Sequence, residues 1–439
     1  MKKLLISAGA LALLGGGMAA ASGVRDEPAA IDGRWDAALV NNGPDVPFRL
    51  DISGSGATLK GTFYDGFHPY DATTSVTFRD GKLVLKAEHY LTTISATLKN
   101  GELIGDTELR GPGYSLKYGF HAVRHVDVPA VASRDVPSIA GSWEIPLDTA
   151  SSKGEKAFRF FVQQNGPEVA ASILRIDGDT GAYSGTFHNG KWVLSHFDGH
   201  RPGVIEVTAQ PNGTLDVLVH NEALTHALQG NDSKSYSDAD SHNSDATPRY
   251  TAYRPDVARA RGLPQPDGFL THTVARDPHE RFRFNFPDAN GKLVSNDDPR
   301  FKGKVVLAIV TGTWCPNCHD EAQYLVQLDK EYRNKGVAIV ALDFEEPEQQ
   351  GNLERERAFV QQYGVKYTYL IAGAPSEMWE KVPQLSNLNT WPTTVFVGRD
   401  GRIRAVHSGF ASPASGIFNA QLKQEFTSEI KQLLAEKSS

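Results

Sequence analysis

Cysteine is nearly absent. The chain has 439 residues and only two of them are Cys, both inside the stretch TGTWCPNCHDE from Thr311 to Glu321. One close pair cannot staple a fold, so no structural disulfide framework exists. Nor does it complete a zinc site: two more ligands are needed, and no histidine follows at finger-like spacing, so no metal is expected. Excess positive charge is absent too. Lys and Arg number 45 against 52 Asp and Glu, a net charge of -7 with no basic cluster, which argues against a nucleic-acid partner. Beyond the N-terminus no apolar run reaches the ~20 residues of a membrane-spanning helix. The rest of the composition, 40% hydrophobic and 22% charged, is that of folded domains. A chain this long exceeds one core, so two or three domains are expected.

The N-terminus reads MKKLLISAGALALLGGGMAAASG. Lys2 and Lys3, an apolar run from Leu4 to Leu14, and small residues at Ala19-Ala20-Ala21 form the pattern of a secretory signal peptide over residues 1–22. The alternative is an uncleaved membrane anchor. The run is short and dissolves into Gly15-Gly16-Gly17, which favours cleavage. No cysteine follows it, which excludes a lipidated N-terminus. The expected location is periplasmic, across the inner membrane. There a lone C-x-x-C is more often redox-active than metal-binding.

Residues 23–256 carry an internal repeat, divided as 23–128 and 129–256. IDGRW ending at Trp35 returns as IAGSW ending at Trp143, GKLVL at Gly81 as GKWVL at Gly190, and FHAVR ending at Arg124 as YTAYR ending at Arg254. Both copies alternate apolar and polar residues between Gly, Asn and Asp, the pattern of short strands. Asn100-Gly101, Asn189-Gly190 and Asn212-Gly213 are hairpin signals. The expectation is an all-β duplicated region, barrel- or sandwich-like. The Ser/Asp-rich insertion from Gln229 to Arg249 reads as a surface loop. A calcium loop from Asp232, Asp238, Asp240 and Asp245 lacks the glycine and closing glutamate of that motif.

A proline-rich linker over 257–270 leads to a different pattern over 271–439. KVVLAIV, Lys304 to Val310, is a continuous apolar run, as in a strand buried on both faces. The order β-β, β-α-β-α, β-β-α predicts an α/β sheet. The C-x-x-C therefore sits between a buried strand and a helix. Free amides and the positive dipole end at a helix start favour a sulfur anion. Cys315 becomes the attacking sulfur and Cys318, a turn further in, the resolving one. Pro316 suits the first turn. Cys318, Glu321, Leu325, Leu328 and Tyr332 share one helical face, which places Glu321 below Cys318. A half-buried carboxylate there would have a raised pKa and could take the proton from Cys318. His319 lies about 100° away, on the expected solvent side.

The stretches FNFPDANGKLVS, FKGKVVLAIVTGTWCPNC, GVAIVALDF and WPTTVFVGRDGRI resemble the thioredoxin superfamily, in its TlpA/ResA-like extracytoplasmic branch. The resemblance covers the last 40% or so of the chain and implies a thioredoxin-like domain. It implies that Pro392 is a cis-proline facing the C-x-x-C, and that Trp314, Trp391, Pro392 and Thr393 meet the substrate. Glu321 matches the family's glutamate. The buried aspartate of thioredoxin itself is Ile309 here, which leaves the proton role to Glu321. The segment Ala372 to Asn389 is longer than in minimal members and is expected to add a helix near the site's rim.

The resemblance implies a thiol-disulfide oxidoreductase with a redox-active disulfide, Cys315 to Cys318, as its only redox group and no added cofactor. It favours a reductase of protein disulfides fed by a membrane thiol donor. Oxidase and isomerase share the chemistry and differ in potential, roughly -270 to -120 mV across such proteins. Pro316-Asn317 does not choose among them. Two alternatives stand beside it. Read with His319, the string is C-x-x-C-H, a c-type haem attachment signature, though Met378 is the only methionine beyond the signal segment. Or the β repeats, with Trp35, Trp143 and Trp192, bind a partner without catalysis.

Overall fold

The computed structural model describes residues 31–436 except 41–43, 71–72, 112–113, 128–135, 180, 221–248, 348, 350 and 352. The signal segment and the four aspartates of the candidate calcium loop lie outside these. The β expectation is met by two nine-stranded antiparallel sheets. In the first, strands run from Gly33–Val40 to Tyr114–Arg124, and the sheet curls so that Thr73 bonds the backbone of Gly61 across it. The second, from Gly141–Pro146 to Arg249–Ala252, closes into a barrel: Glu144 and Tyr253 exchange two backbone hydrogen bonds of 2.8 Å. Alternation produces the cores. In Lys82–Ala87, Leu83, Leu85 and Ala87 point inward while Lys82 and Lys86 stay in water. Asn100-Gly101 and Asn189-Gly190 both take left-handed conformations (φ 54° and 87°, 51° and 83°), as two-residue hairpins of primed type require.

The two sheets share one device. Trp35 Nε1 donates to Ile31 O at 2.9 Å and Trp143 Nε1 to Ile139 O at 2.8 Å. Arg124 lies 4.1 Å over the Trp35 ring, and Arg254 3.7 Å over that of Trp143. Gly33 and Gly141, at φ +121° and +103°, leave room for those guanidinium groups. Trp35, Trp143 and Trp192 are buried, so these aromatics form core rather than a binding platform. Phe197 of the second barrel enters the first sheet's core, 4.8 Å from Phe48.

Pro255–Ala260, ahead of and into the linker segment, is a short helix with Pro255 in its first turn, held to the barrel by Arg259 and Glu144. The C-terminal sheet has the order Thr368–Gly373, Val337–Phe344, Val305–Thr311, Thr393–Val397, Ile403–Ser408. The first three strands are parallel and the last two antiparallel. Every residue of Val305–Thr311 is buried, because both faces are covered. Pro316–Tyr332 and Ile417–Ala435 pack over Leu307, Ile309 and Ile339 through Leu325, Leu328, Leu422, Phe426 and Ile430. Val306, Ala308, Val310 and Leu342 face the other way, with Phe282, Phe284 and both cysteines. The insertion contributes the short helix Met378–Lys381.

Candidate active site

Cys315 ends the loop after the central strand and stands at the N-cap of Pro316–Tyr332, in an extended conformation. Pro316 takes the first helical position, where no N–H is needed. Upstream, Glu345 Oε1 accepts from Thr313 N at 2.7 Å and from its hydroxyl. Trp314 Nε1 donates to Phe344 O at 2.9 Å. Together these anchor the loop to the neighbouring strand's end. The Trp391-Pro392 bond is cis. Trp391 O lies 3.6 Å from Cys315 Sγ, which donates to it, and the Trp314 and Trp391 rings meet edge to face at 5.1 Å.

Both cysteines are free thiols. Cys315 is 3% exposed and Cys318 1%. Burial pushes the Cys318 thiol well above its usual value, and the adjoining Cys315 sulfur pushes the same way. Glu321, one turn along, is 1% exposed. Burial raises its carboxyl to about 8, while the Thr394 hydroxyl, donating to Oε1, lowers it. Among the described residues its Oε2 has no hydrogen-bond partner. Glu321 thus faces the core and not solvent, an outcome the helical register alone leaves open.

The remaining residues expected to meet the substrate are buried or half-buried. Trp391 is 6% exposed. Thr393 is fully buried, and its hydroxyl donates to Thr390 O at 2.9 Å. In this arrangement its side chain belongs to the core. Trp314 is half-buried.

His319 corrects the sequence reading. It is not on a solvent face but fully buried. Its ring nitrogens bond Tyr363 OH at 2.8 Å and Thr313 O at 2.7 Å, and its ring packs against His89, Tyr90 and Phe359. Burial holds its pKa well below the usual value. The register was right about the helix. The face it assigned to water is covered by Glu88–Tyr90 of the first β sheet. Next to it, Asp320 is pushed well above the carboxylate range by burial and by Asp65, Asp179 and Asp198.

Sequence reasoning missed two further residues. Thr394 is legible only through pairing, opposite Ile309 on the central strand. Asn317, between the cysteines, donates from Nδ2 to Asp177 O at 2.9 Å, in a loop of the second barrel. Nothing in the C-P-N-C string signals that partner.

Known proteins resemble the C-terminal part of the chain. Residues 276–421 match the Redoxin family. The thiol-disulfide oxidoreductase ResA of Bacillus thuringiensis is 32% identical over 120 residues, covering 27% of this chain and 62% of that protein. ResA of Halalkalibacterium halodurans is 29% identical over 141 residues, 32% of this chain and 73% of that one. A solved thiol:disulfide interchange protein of the thioredoxin family from Chlorobium tepidum aligns at 21% identity and a TM-score of 0.28, covering 37% of this chain and all of the other. The chain spans about 62% of the length of the first curated relatives it matches. The C-terminal part of the chain is a Redoxin domain of thioredoxin-like fold, related to the ResA thiol-disulfide oxidoreductases.

Proposed function

We propose that the chain is an extracytoplasmic thiol-disulfide oxidoreductase that reduces protein disulfides through Cys315 and Cys318. The observation that carries this reading is Cys315 Sγ, at a helix start and directed at the carbonyl before Pro392, with Cys318 and the protonatable Glu321 stacked behind it.

The steps follow from the placement. The Cys315 sulfur, as thiolate, attacks one sulfur of a substrate disulfide. That S–S bond breaks, a Cys315–substrate bond forms, and the leaving sulfur takes a proton from water. Cys318 then loses its proton to the Glu321 carboxylate and attacks the Cys315 sulfur. The Cys315–substrate bond breaks as the Cys315–Cys318 disulfide forms, the substrate's second sulfur leaves as a thiolate that takes a proton from water, and two electrons have passed from the cysteine pair. With a carboxyl near 8, about one Glu321 in ten is ionised at pH 7, so the base is available near neutrality. Resetting the pair needs a dithiol donor, which we assign to a membrane thiol carrier. Among the described residues no helix is long and apolar enough to cross a membrane.

The haem alternative has little support. An axial His319 would have to give up Thr313 O and Tyr363 OH and leave its ring stack. The non-catalytic alternative loses its aromatic platform to the cores. Insulin reduction tests the proposal: wild-type protein with a dithiol donor turns over and Cys315→Ser does not. Activity that survives in Cys315→Ser refutes it.

A further inference from the structure

One segment of the second β sheet reaches the C-x-x-C helix at Asn317. The turn after strand Glu168–Arg175 carries Ile176, Asp177, Gly178 and Asp179. Asp177 O accepts two hydrogen bonds, from Asn317 Nδ2 at 2.9 Å and from Phe410 N at 3.2 Å. The first donor lies between the two cysteines. The second belongs to the loop tied to the cis-proline, since Gly409 N donates to Pro392 O at 2.7 Å. One backbone carbonyl therefore spans from the C-x-x-C helix to the Pro392 loop.

The rest of the tip is fitted as closely. Gly178 pairs with Phe410 as a parallel bridge. A Cβ on Gly178 would lie 2.2 Å from Phe410 O and 2.9 Å from Asn317, and its φ of +122° favours glycine. Ile176 is buried in the core that holds Phe410 and Tyr324. Asp179 Oδ2 accepts from Ser412 N at 2.8 Å and from the Ser415 hydroxyl, while Oδ1 accepts from Gly181 N. Lys153 pairs with Asp177. Cys315 itself is 3% exposed, with its Sγ directed at Trp391 O. A sulfur so enclosed cannot be reached in line by a sulfur of a folded partner.

We propose that Ile176–Asp179 is a resident pseudo-substrate: a hairpin tip of the chain's own barrel that bridges the C-x-x-C helix and the Pro392 loop and must be displaced by the substrate. The inference rests on the disulfide-reductase reading for the identity of the displacing partner, an extended stretch of a protein disulfide. Its chemistry follows from what it replaces. It brings a backbone carbonyl to Asn317 and Phe410 N, an apolar side chain to the place of Ile176, and a small residue two positions later.

Two variants of the full chain test this. Asp179→Ala removes the two bonds to Ser412 and Ser415. Gly178→Val keeps Asp179 and cannot seat against Phe410. Neither residue takes part in the exchange chemistry. The readout is the rate at which iodoacetamide alkylates Cys315 in reduced protein, followed by mass spectrometry, with thermal melting as the check on folding. Wild type is slow. Both variants rise about tenfold or more, in step with the fraction open, and their KM for a protein disulfide falls with kcat held. Folded variants that alkylate at the wild-type rate overturn the proposal, as does an unchanged KM. Alkylation uses no disulfide substrate, so raised alkylation in variants that never reduce insulin would overturn the reductase reading and leave the tip's role standing.

Discussion

Thr394 donates its hydroxyl to Glu321 Oε1 beneath the two cysteines, from the strand that follows Pro392. The bond joins the two halves of the site, the C-x-x-C helix and the cis-proline strand, through a carboxyl that burial raises to about 8.

Replacing that carboxyl should slow resolution and not attack. In Glu321→Gln the mixed disulfide accumulates, and the pH dependence of its release loses an inflection near pH 8. Thr394→Val removes the one bond that lowers the carboxyl's pKa, so the inflection moves upward. Single-turnover kinetics from pH 6 to 10 check both, and a profile unchanged in Glu321→Gln removes Glu321 from the mechanism. Loss of a positioned base typically costs about 10²–10⁴ in rate.

Stability should fall between pH 6.5 and 8. Burial raises Asp65 to about 7 and Glu155 and Glu321 to about 8. The folded state then binds protons that the unfolded state has released, and stability declines as pH rises through those values. His89 and His200, depressed to about 4 and 3 by burial, have the opposite sign. Their contribution is complete above the ordinary histidine value of 6.5 and is lost as pH falls through the depressed ones, so it does not offset the decline in this window. Each raised carboxyl contributes about 1–2 kcal/mol across it. Melting temperatures at pH 6.5 and 8 show the decline in wild type and a smaller one in Glu321→Gln.

The Trp–Arg locks should matter equally in both β sheets. Gly33→Ala and Gly141→Ala each force a side chain to positive φ and toward a guanidinium nitrogen 2.9 Å and 3.1 Å away. Each should cost about 1–3 kcal/mol, read as a shift in denaturant midpoint. A neutral result at both positions would show that the stacked arginines are not needed.

His319 should prove structural. His319→Ala leaves the Thr313 carbonyl without its partner and opens a void among Tyr90, Phe359 and Tyr363. A loss of about 2–4 kcal/mol is expected, with both thiols still titrating. Protein isolated from its own cells should have the mass of the bare polypeptide. A haem adduct on Cys315 and Cys318 would contradict this.

What could be read from the sequence followed local order. The C-x-x-C pair, the buried strand before it and the face that carries Cys318, Glu321 and Leu325 depend on residues within a few turns of one another. Hairpins at Asn100 and Asn189 depend on one dipeptide each. His319 failed because its environment is built by His89, Tyr90 and Tyr363, from another sheet and another helix. A helical register reports a helix's faces but not which of them a second domain covers. Asn317 finds its partner 140 residues away, and Thr394 reaches Glu321 only through the pairing of two strands. Such contacts are properties of the packed chain.

A trapped mixed disulfide tests Cys315 as the attacking sulfur. Cys318→Ser protein, reduced and mixed with a protein disulfide, should form a stable one-to-one covalent complex through Cys315, released by added dithiol and seen by non-reducing electrophoresis and peptide mass spectrometry. The bond is expected at Cys315 and not in Cys315→Ser. No complex in Cys318→Ser, or one that persists in Cys315→Ser, would contradict it.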